Sequence, residues 1–125
     1  MSADLRAELC ARTKAFALQI VRLYCALPKT TAAQVLGKQL LRSGTSVGAQ
    51  YREAVRARSQ AEFVSKIESA LQELEETTYW IELLVEGGIV PARRCEDLRK
   101  ESDEIMAILV SAVKKIKGKE TNPHE

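Results

Sequence analysis

The chain has 125 residues, of which 46% are hydrophobic, and its 19 Lys or Arg against 17 Asp or Glu give a formal net charge of +2. This length fits one domain with one core, and no apolar run approaches the roughly 20 residues that a membrane-spanning helix needs. The first ten residues carry charges where a secretory signal is hydrophobic, so we expect a cytoplasmic protein with no membrane segment.

Two helices are predicted in the first half of the chain, over residues 4–27 and 31–57. Pro28 ends the first, because the residue before a proline is disfavoured in helical conformation. Thr31 and Gln34 form a capping-box pattern that begins the second. Apolar or small residues recur at spacings of three and four, as in helices that pack lengthwise on others. These seam positions are Leu9, Thr13, Phe16, Ile20, Leu23 and Leu27, then Leu36, Leu40, Ser43, Val47, Gln50, Ala54 and Ala57.

Three glycines, Gly37, Gly44 and Gly48, lie inside the second predicted helix. Each costs on the order of 1 kcal/mol relative to alanine in a helix interior, so a packing reason is expected. We predict that another helix approaches closely at these positions.

The second half of the chain predicts helices over residues 60–86 and 91–117. Ser59 and Glu62 match a capping box at the start of the third helix. Gly87-Gly88 supplies a left-handed C-cap, and Pro91 is suited to the first turn of the fourth helix. The seams are Phe63, Ile67, Ala70, Leu74, Thr77, Ile81 and Leu84, then Leu98, Ser102, Ile105, Leu109, Ala112 and Ile116.

The fourth helix is expected to stop at Gly118, which makes residues 1–118 the bundle and 119–125 a disordered tail. Four helices of similar length with short connections predict an all-α, antiparallel up-down-up-down four-helix bundle.

Charge is unevenly distributed along the chain. Residues 1–58 hold ten Lys or Arg and three acids, a net charge of +7, whereas residues 59–87 hold seven Glu and one Lys, a net charge of −6. Such segregation indicates either a polyanion on one surface or complementary pairing between helices or between copies of the chain.

Basic residues recur at roughly one-turn intervals between small residues on the first two helices. This pattern suits a phosphate backbone, bound electrostatically and with little base specificity. The alternatives are a solvated helix face, or pairing of Arg52 and Arg56 with the glutamates of the third helix. The residues predicted to bind RNA or DNA are Arg12, Arg22, Lys38, Arg42, Arg52 and Arg56.

Catalysis and cofactor binding have little support in the sequence. The only histidine, His124, lies in the predicted tail, where no partner is held in place for it. Neither the Glu-x-x-His pair of a di-iron bundle nor a glycine-rich phosphate loop is present. Cys10, Cys25 and Cys95 lack the paired short spacing of a zinc or redox site, so we interpret them as reduced, mostly buried small hydrophobic residues. We expect no enzyme and no cofactor.

A second surface is predicted for subunit contact. Trp80 falls on a line with Glu73, Glu76 and Leu83, offset from the seam of the third helix, and Tyr51 is read as either a core-edge residue or an interface anchor. Aromatic residues are enriched in such contacts. The alternative is a wide core that includes Trp80.

Residues 41–54, LRSGTSVGAQYREA, are followed by Ser59, Glu62-Phe63, Lys66, Ala70, Glu73, Glu76 and Tyr79-Trp80. This stretch resembles the bacterial four helix bundle protein family, which includes proteins encoded by intervening sequences in 23S ribosomal RNA genes and the accessory variability proteins of diversity-generating retroelements. The resemblance is specific over about residues 40–88. It implies an antiparallel bundle that assembles into a homopentameric barrel with a basic surface. In the retroelement branch it also implies binding to nucleic acid and to a reverse transcriptase.

Two departures from the family pattern stand out. Gln50 occupies a position where many relatives have Asn, and Tyr51-Arg52-Glu53-Ala54 replaces the Ile-Ala-Glu-Gly of the ribosomal branch. The expected function is a non-enzymatic, homo-oligomeric bundle that binds RNA or DNA, and a role as an accessory to a reverse transcriptase is a further expectation. The alternative is a protein-interaction scaffold that binds no nucleic acid.

Overall fold

The computed structural model describes residues 1–121, with side chains described through residue 118. It contains four α-helices: α1 (Ala3–Cys25), α2 (Thr31–Val55), α3 (Gln60–Glu86) and α4 (Glu96–Thr121). A short 3-10 turn (Ala92–Arg94) precedes α4, and no strand occurs in the described part of the chain. The all-α four-helix prediction is confirmed.

The helices pack in a ring in chain order, with α4 returning to α1. α2 packs most extensively, against α3 and then α1, whereas the α1–α4 contact is the least extensive of the four. Neighbouring helices run antiparallel: in α2, Gly37 lies beside Tyr24 near the end of α1, and Gly48 lies beside Thr13 nearer its start.

A core of apolar side chains fills the centre of the ring. Most predicted seam residues are buried, including every one on α1. The half-buried ones are Leu36, Gln50, Ala57, Phe63, Ala112 and Ile116. The few hydroxyls in this core are hydrogen-bonded, as burial requires: Thr77 Oγ1 lies 2.9 Å from Ser43 Oγ, joining α3 to α2. The predicted close approach at the glycines is also confirmed, because a Cβ on Gly44 would lie 2.7 Å from Cγ1 of Ile20.

Hydroxyl groups cap the first three helices. Ser59 accepts a hydrogen bond from the backbone N–H of Glu62 at 3.1 Å. The Glu62 carboxylate accepts one from the backbone N–H of Arg58, whereas a capping box predicts the N–H of Ser59 as its donor. α2 is capped by Thr30, which accepts from Ala33, and not by Thr31. Thr30 and Thr31 each have a hydroxyl that could cap the helix. Thr30 is the cap because its backbone is extended, as the N-cap position requires.

Helix ends differ from the predicted ends by a few residues. α1 stops at Cys25, two residues before the predicted end, and a turn through Ala26 leads to the buried Leu27. Gly88 has the predicted left-handed conformation, with φ of 75°. Pro91 precedes the 3-10 turn, so α4 begins at Glu96.

α4 also continues past Gly118 to Thr121, three residues into the segment predicted as a tail. The rest of that predicted tail, with His124, lies outside the described residues. Within the described residues, no helix combines the length and apolar character that crossing a membrane requires.

Candidate nucleic-acid interface

Exposed cations without ion pairs lie on α1 and α2. We call Lys14, Lys38, Arg52 and Arg56 the cationic face; all four side chains are exposed, and none is in an ion pair within residues 1–118. Lys38 and Arg52 are 14 residues apart, about 21 Å along the helix axis. This length allows contact with several phosphates of one strand.

Two of the three acidic side chains of the first two helices are held in ion pairs. Glu53 pairs with Lys66 of α3 at 3.5 Å, and Glu8 lies 3.9 Å from Arg12, which faces α4. The cations of this face therefore keep their charge available to an external anion.

Arg12, by contrast, is held by carboxylates of α4. Its Nε and Nη2 donate to Glu101 at 3.0 and 2.5 Å, and Nη2 also lies 2.6 Å from Glu104. The hydrogen bond to Glu101 is the largest of the causes that raise the pKa of Arg12 above its ordinary value. Its positive charge is thus matched inside the chain and is not available to a phosphate.

Arg42 is similarly engaged, with Glu73 at 3.2 Å and Glu76 at 3.0 Å. Pairing between α2 and the glutamates of α3 therefore exists, but it uses Arg42 and not Arg52 or Arg56, the residues named in the alternative interpretation. Glu73 and Glu76, which the sequence predicts at a subunit interface, pair with Arg42 of the same chain.

Arg22 lies on a different side of the bundle. It borders a shallow depression between α1 and α4 together with Arg94 and Asp97. Of the six predicted nucleic-acid-binding residues, Lys38 and Arg52 lie on α2 and Arg56 is its C-cap residue, and these three form no ion pair within residues 1–118. Arg22 is exposed elsewhere, and Arg12 and Arg42 are paired.

Lys14 is the member of the cationic face that the sequence analysis missed. It follows Arg12 by two residues, so helical geometry places it about 200° around α1, away from α4. Thr13, its neighbour, contacts Gly48 of α2. The angular position of each residue around α1, relative to the seam, can be read from the sequence. It distinguishes Lys14, which is exposed, from Arg12, which faces α4.

The interpretation of Tyr51 as an interface anchor is wrong. Its side chain is fully buried, and the hydroxyl donates to Met1 Sδ at 3.2 Å. Burial, reinforced by the nearby Cys10 thiol and opposed by Arg6, raises the pKa of Tyr51 to about 12. Its ring belongs to the core of one chain and is not available to another.

Trp80 is half-buried and packs against the core, as the wide-core alternative proposed. Its indole Nε1 is buried and has no hydrogen-bond partner among the described residues. Tyr79, beside it, is 53% exposed, and the two ring centroids are 5.2 Å apart in an edge-to-face arrangement. Leu83 is half-buried. The exposed aromatic group at this place is Tyr79, not Trp80.

Candidate metal and thiol chemistry is limited. All three cysteines are free; Cys95 is buried, Cys10 is half-buried and Cys25 is exposed, contrary to the expectation of mostly buried thiols. Burial raises the pKa of Cys95, which favours the neutral thiol. Within the described residues, no group of three or more His, Cys, Asp or Glu could hold a metal ion.

Comparison with known proteins identifies a matching family model and a similar solved structure. A family model described as 23S rRNA-intervening sequence protein matches residues 6–111. A crystal structure of a protein of unknown function from the S23 ribosomal protein family of Bacteroides thetaiotaomicron is 41% identical, with a TM-score of 0.79. The match covers 84% of this chain and 97% of that one. No curated protein matches the chain.

Proposed function

We propose, from the premise that this chain belongs to the 23S rRNA-intervening sequence protein family, that it is a non-enzymatic, homo-oligomeric bundle that binds RNA or DNA. The observation that carries nucleic-acid binding is the cationic face, whose four exposed cations form no ion pair with a carboxylate within residues 1–118. Cations on one helical surface bind phosphates by releasing counterions, with little dependence on sequence. We further propose that the protein acts in the cytoplasm.

Ribosomal RNA is the first polyanion to test. The family description refers to an intervening sequence of 23S rRNA, and the similar crystal structure is described as a member of the S23 ribosomal protein family. These descriptions support RNA as the starting ligand, and duplex DNA of equal length serves as the comparison.

A filter-binding titration at low salt tests the proposal. The wild-type chain should retain RNA or DNA, and Arg52→Glu with Arg56→Glu should weaken retention at least tenfold. Arg93→Glu with Lys100→Glu makes the same change of charge on exposed residues elsewhere and should have a much smaller effect. Absence of retention by the wild type at low salt would overturn nucleic-acid binding.

Self-assembly is the second part of the proposal. The family resemblance supports a homopentamer, and the expected native mass is near five times the 13.9 kDa of the chain. Light scattering coupled to gel filtration measures that mass directly. A monomer at micromolar concentration would contradict assembly and leave nucleic-acid binding to be judged by the titration.

A scaffold without nucleic-acid binding is the alternative function. It is favoured by the acidic surface of α3, which could pair with the cationic face of another copy. In that case Arg52→Glu with Arg56→Glu would break the oligomer. Loss of nucleic-acid binding with unchanged native mass would rule out the scaffold-only function.

A narrower role as an accessory to a reverse transcriptase is also proposed, supported by the resemblance over residues 40–88. The genes that neighbour the gene for this chain show to which branch of the family the chain belongs. A neighbouring reverse transcriptase with a variable repeat supports the accessory role, whereas placement inside a ribosomal RNA gene supports the intervening-sequence branch.

A further inference from the structure

An apolar groove opens at one end of the bundle, where α1 and α3 begin and α4 passes its midpoint. Its volume is ≈ 470 Å³. The walls include Leu5, Phe63, Ile108, Ala112, Lys115 and Ile116. The groove lies along the least extensive of the helix contacts, between α1 and α4, so its apolar walls remain open to solvent.

The charged residues that α4 contributes around this groove are all lysines. Lys115 has the one charged side chain among the described residues that line the groove, and α4 carries no acid from Ile105 to Gly118. A second depression of ≈ 540 Å³ shares Ser111 and Lys115 with the groove and adds Lys114. Together they form an extended apolar surface with a lysine rim, which suits an elongated acidic partner better than a small molecule.

A surface with the complementary properties lies on α3 of the same chain. Its members are spaced by four and three residues, so they form one stripe, and we call it the acidic stripe: Glu75, Tyr79, Glu82 and Glu86. None of its carboxylates is in an ion pair within residues 1–118. In the middle, Tyr79 is an exposed aromatic side chain supported by Trp80.

The acidic stripe cannot reach the groove of its own chain. Tyr79 follows the core residue Thr77 by two positions, about 200° around the helix axis, and therefore faces away from the bundle. Phe63, which lines the groove, is instead on the inner seam of α3. Contact between the two surfaces requires two chains.

We propose that the groove receives the acidic stripe of a second copy of this chain, with Tyr79 against its apolar walls and Glu75 and Glu82 near Lys114 and Lys115. Like surfaces repel, since two stripes bring carboxylates together and two grooves bring lysines together. The contact is therefore between unlike surfaces, and such head-to-tail contacts generate rings or filaments. The inference rests on the proposed self-assembly and assigns the surfaces that form it.

This arrangement leaves the cationic face outside the contact. Lys38 and Arg52 are on α2 and Arg56 is its C-cap residue, whereas the groove is built by α1, α3 and α4. Lys14 is on α1 but does not line the groove. Assembly would then repeat the cationic face at regular intervals, which multiplies weak phosphate contacts along one nucleic acid.

Charge exchange between the two surfaces tests the inference. The groove variant is Lys114→Glu with Lys115→Glu, and the stripe variant is Glu75→Lys with Glu82→Lys. Each alone should reduce the native mass at 1 µM to that of the monomer, whereas an equimolar mixture should form complexes heavier than the monomer because each supplies the charge that the other lacks. These mixed complexes contain the two variants in alternation, so a closed mixed ring has an even number of subunits. A control, Glu96→Lys with Asp103→Lys, changes exposed acids outside both surfaces and should assemble like the wild type.

A steric variant gives a second measurement that does not alter charge. Ser111 is exposed between the two depressions, so Ser111→Trp should fill the groove and prevent assembly while circular dichroism remains that of the wild type. A wild-type oligomer whose mass is unchanged by all three variants would overturn the groove inference alone. A monomeric wild type would overturn the proposed self-assembly itself, and filter binding would still report nucleic-acid binding separately.

Discussion

The guanidinium of Arg12 on α1 holds the Glu101 carboxylate on α4 through two hydrogen bonds, at 3.0 and 2.5 Å. Both side chains are about one quarter exposed, at 25% and 24%. This bidentate pair spans the helix contact with the least packing, so a specific polar contact supplements sparse apolar burial there.

Arg12→Met should lower the free energy of unfolding by about 1–3 kcal/mol, because it removes charge-assisted hydrogen bonds at a partly buried site. Arg22→Met, at an exposed position on the same helix with no ion pair within residues 1–118, should change it by less than about 0.5 kcal/mol. Urea denaturation of both variants measures the difference. Equal stability of the two variants would show that the pair contributes nothing.

Gly44→Ala should destabilise the bundle by about 1–2 kcal/mol. The new Cβ would lie 2.7 and 2.8 Å from both γ carbons of Ile20, and this overpacking exceeds the helix-propensity gain of about 1 kcal/mol. Gly118→Ala is the matched control, since a Cβ there meets nothing within 4 Å and should be neutral or slightly stabilising. Thermal melts followed by circular dichroism compare them, and a stabilised Gly44→Ala would contradict the close helix approach.

Tyr51 should make stability fall above pH 10. Burial keeps its hydroxyl neutral in the folded chain up to a pKa of about 12, whereas the unfolded chain ionises near 10. The contribution of Tyr51 to the free energy of unfolding is fully present below pH 10. About 2 kcal/mol of it is lost progressively as the pH rises toward 12.

The measurement for this prediction is urea denaturation at pH 9 and pH 11.5. Tyr51→Phe should reduce the difference in stability between the two pH values, and Tyr79→Phe, at an exposed position, should leave it unchanged. An identical pH dependence in wild type and Tyr51→Phe would refute the assignment.

Nucleic-acid affinity should fall steeply with salt. Arg52→Glu with Arg56→Glu should reduce the slope of log K against log salt by about two, roughly one for each phosphate contact removed. Arg12→Met should leave the slope nearly unchanged, because the charge of Arg12 is already matched by Glu101 and Glu104. Titrations at several salt concentrations distinguish the two results.

Sequence periodicity was sufficient to locate the four helices and their inner faces. The seam from Leu9 to Leu27 is buried throughout, and Ser59 and Gly88 mark helix ends as predicted. The resemblance to the 23S rRNA-intervening sequence proteins is confirmed by the family match over residues 6–111.

The pairing of charges required the three-dimensional arrangement. Arg12 and Glu101 are 89 residues apart, and a linear charge count cannot show that they meet. Tyr51 was misassigned because its position next to the seam of α2 allows either burial or exposure, and the contact with Met1 closes it from solvent. Local patterns fix which side of a helix is apolar, but they do not fix which neighbour covers its edges.

Uneven packing around the ring implies that some helices detach from the bundle at a lower free energy than others. α2 shares most of its surface with α1 and α3, whereas α4 meets α1 only sparsely. Amide protons of α4 should therefore exchange with deuterium through partial detachment of that helix, while those of α2 exchange only when the entire chain unfolds.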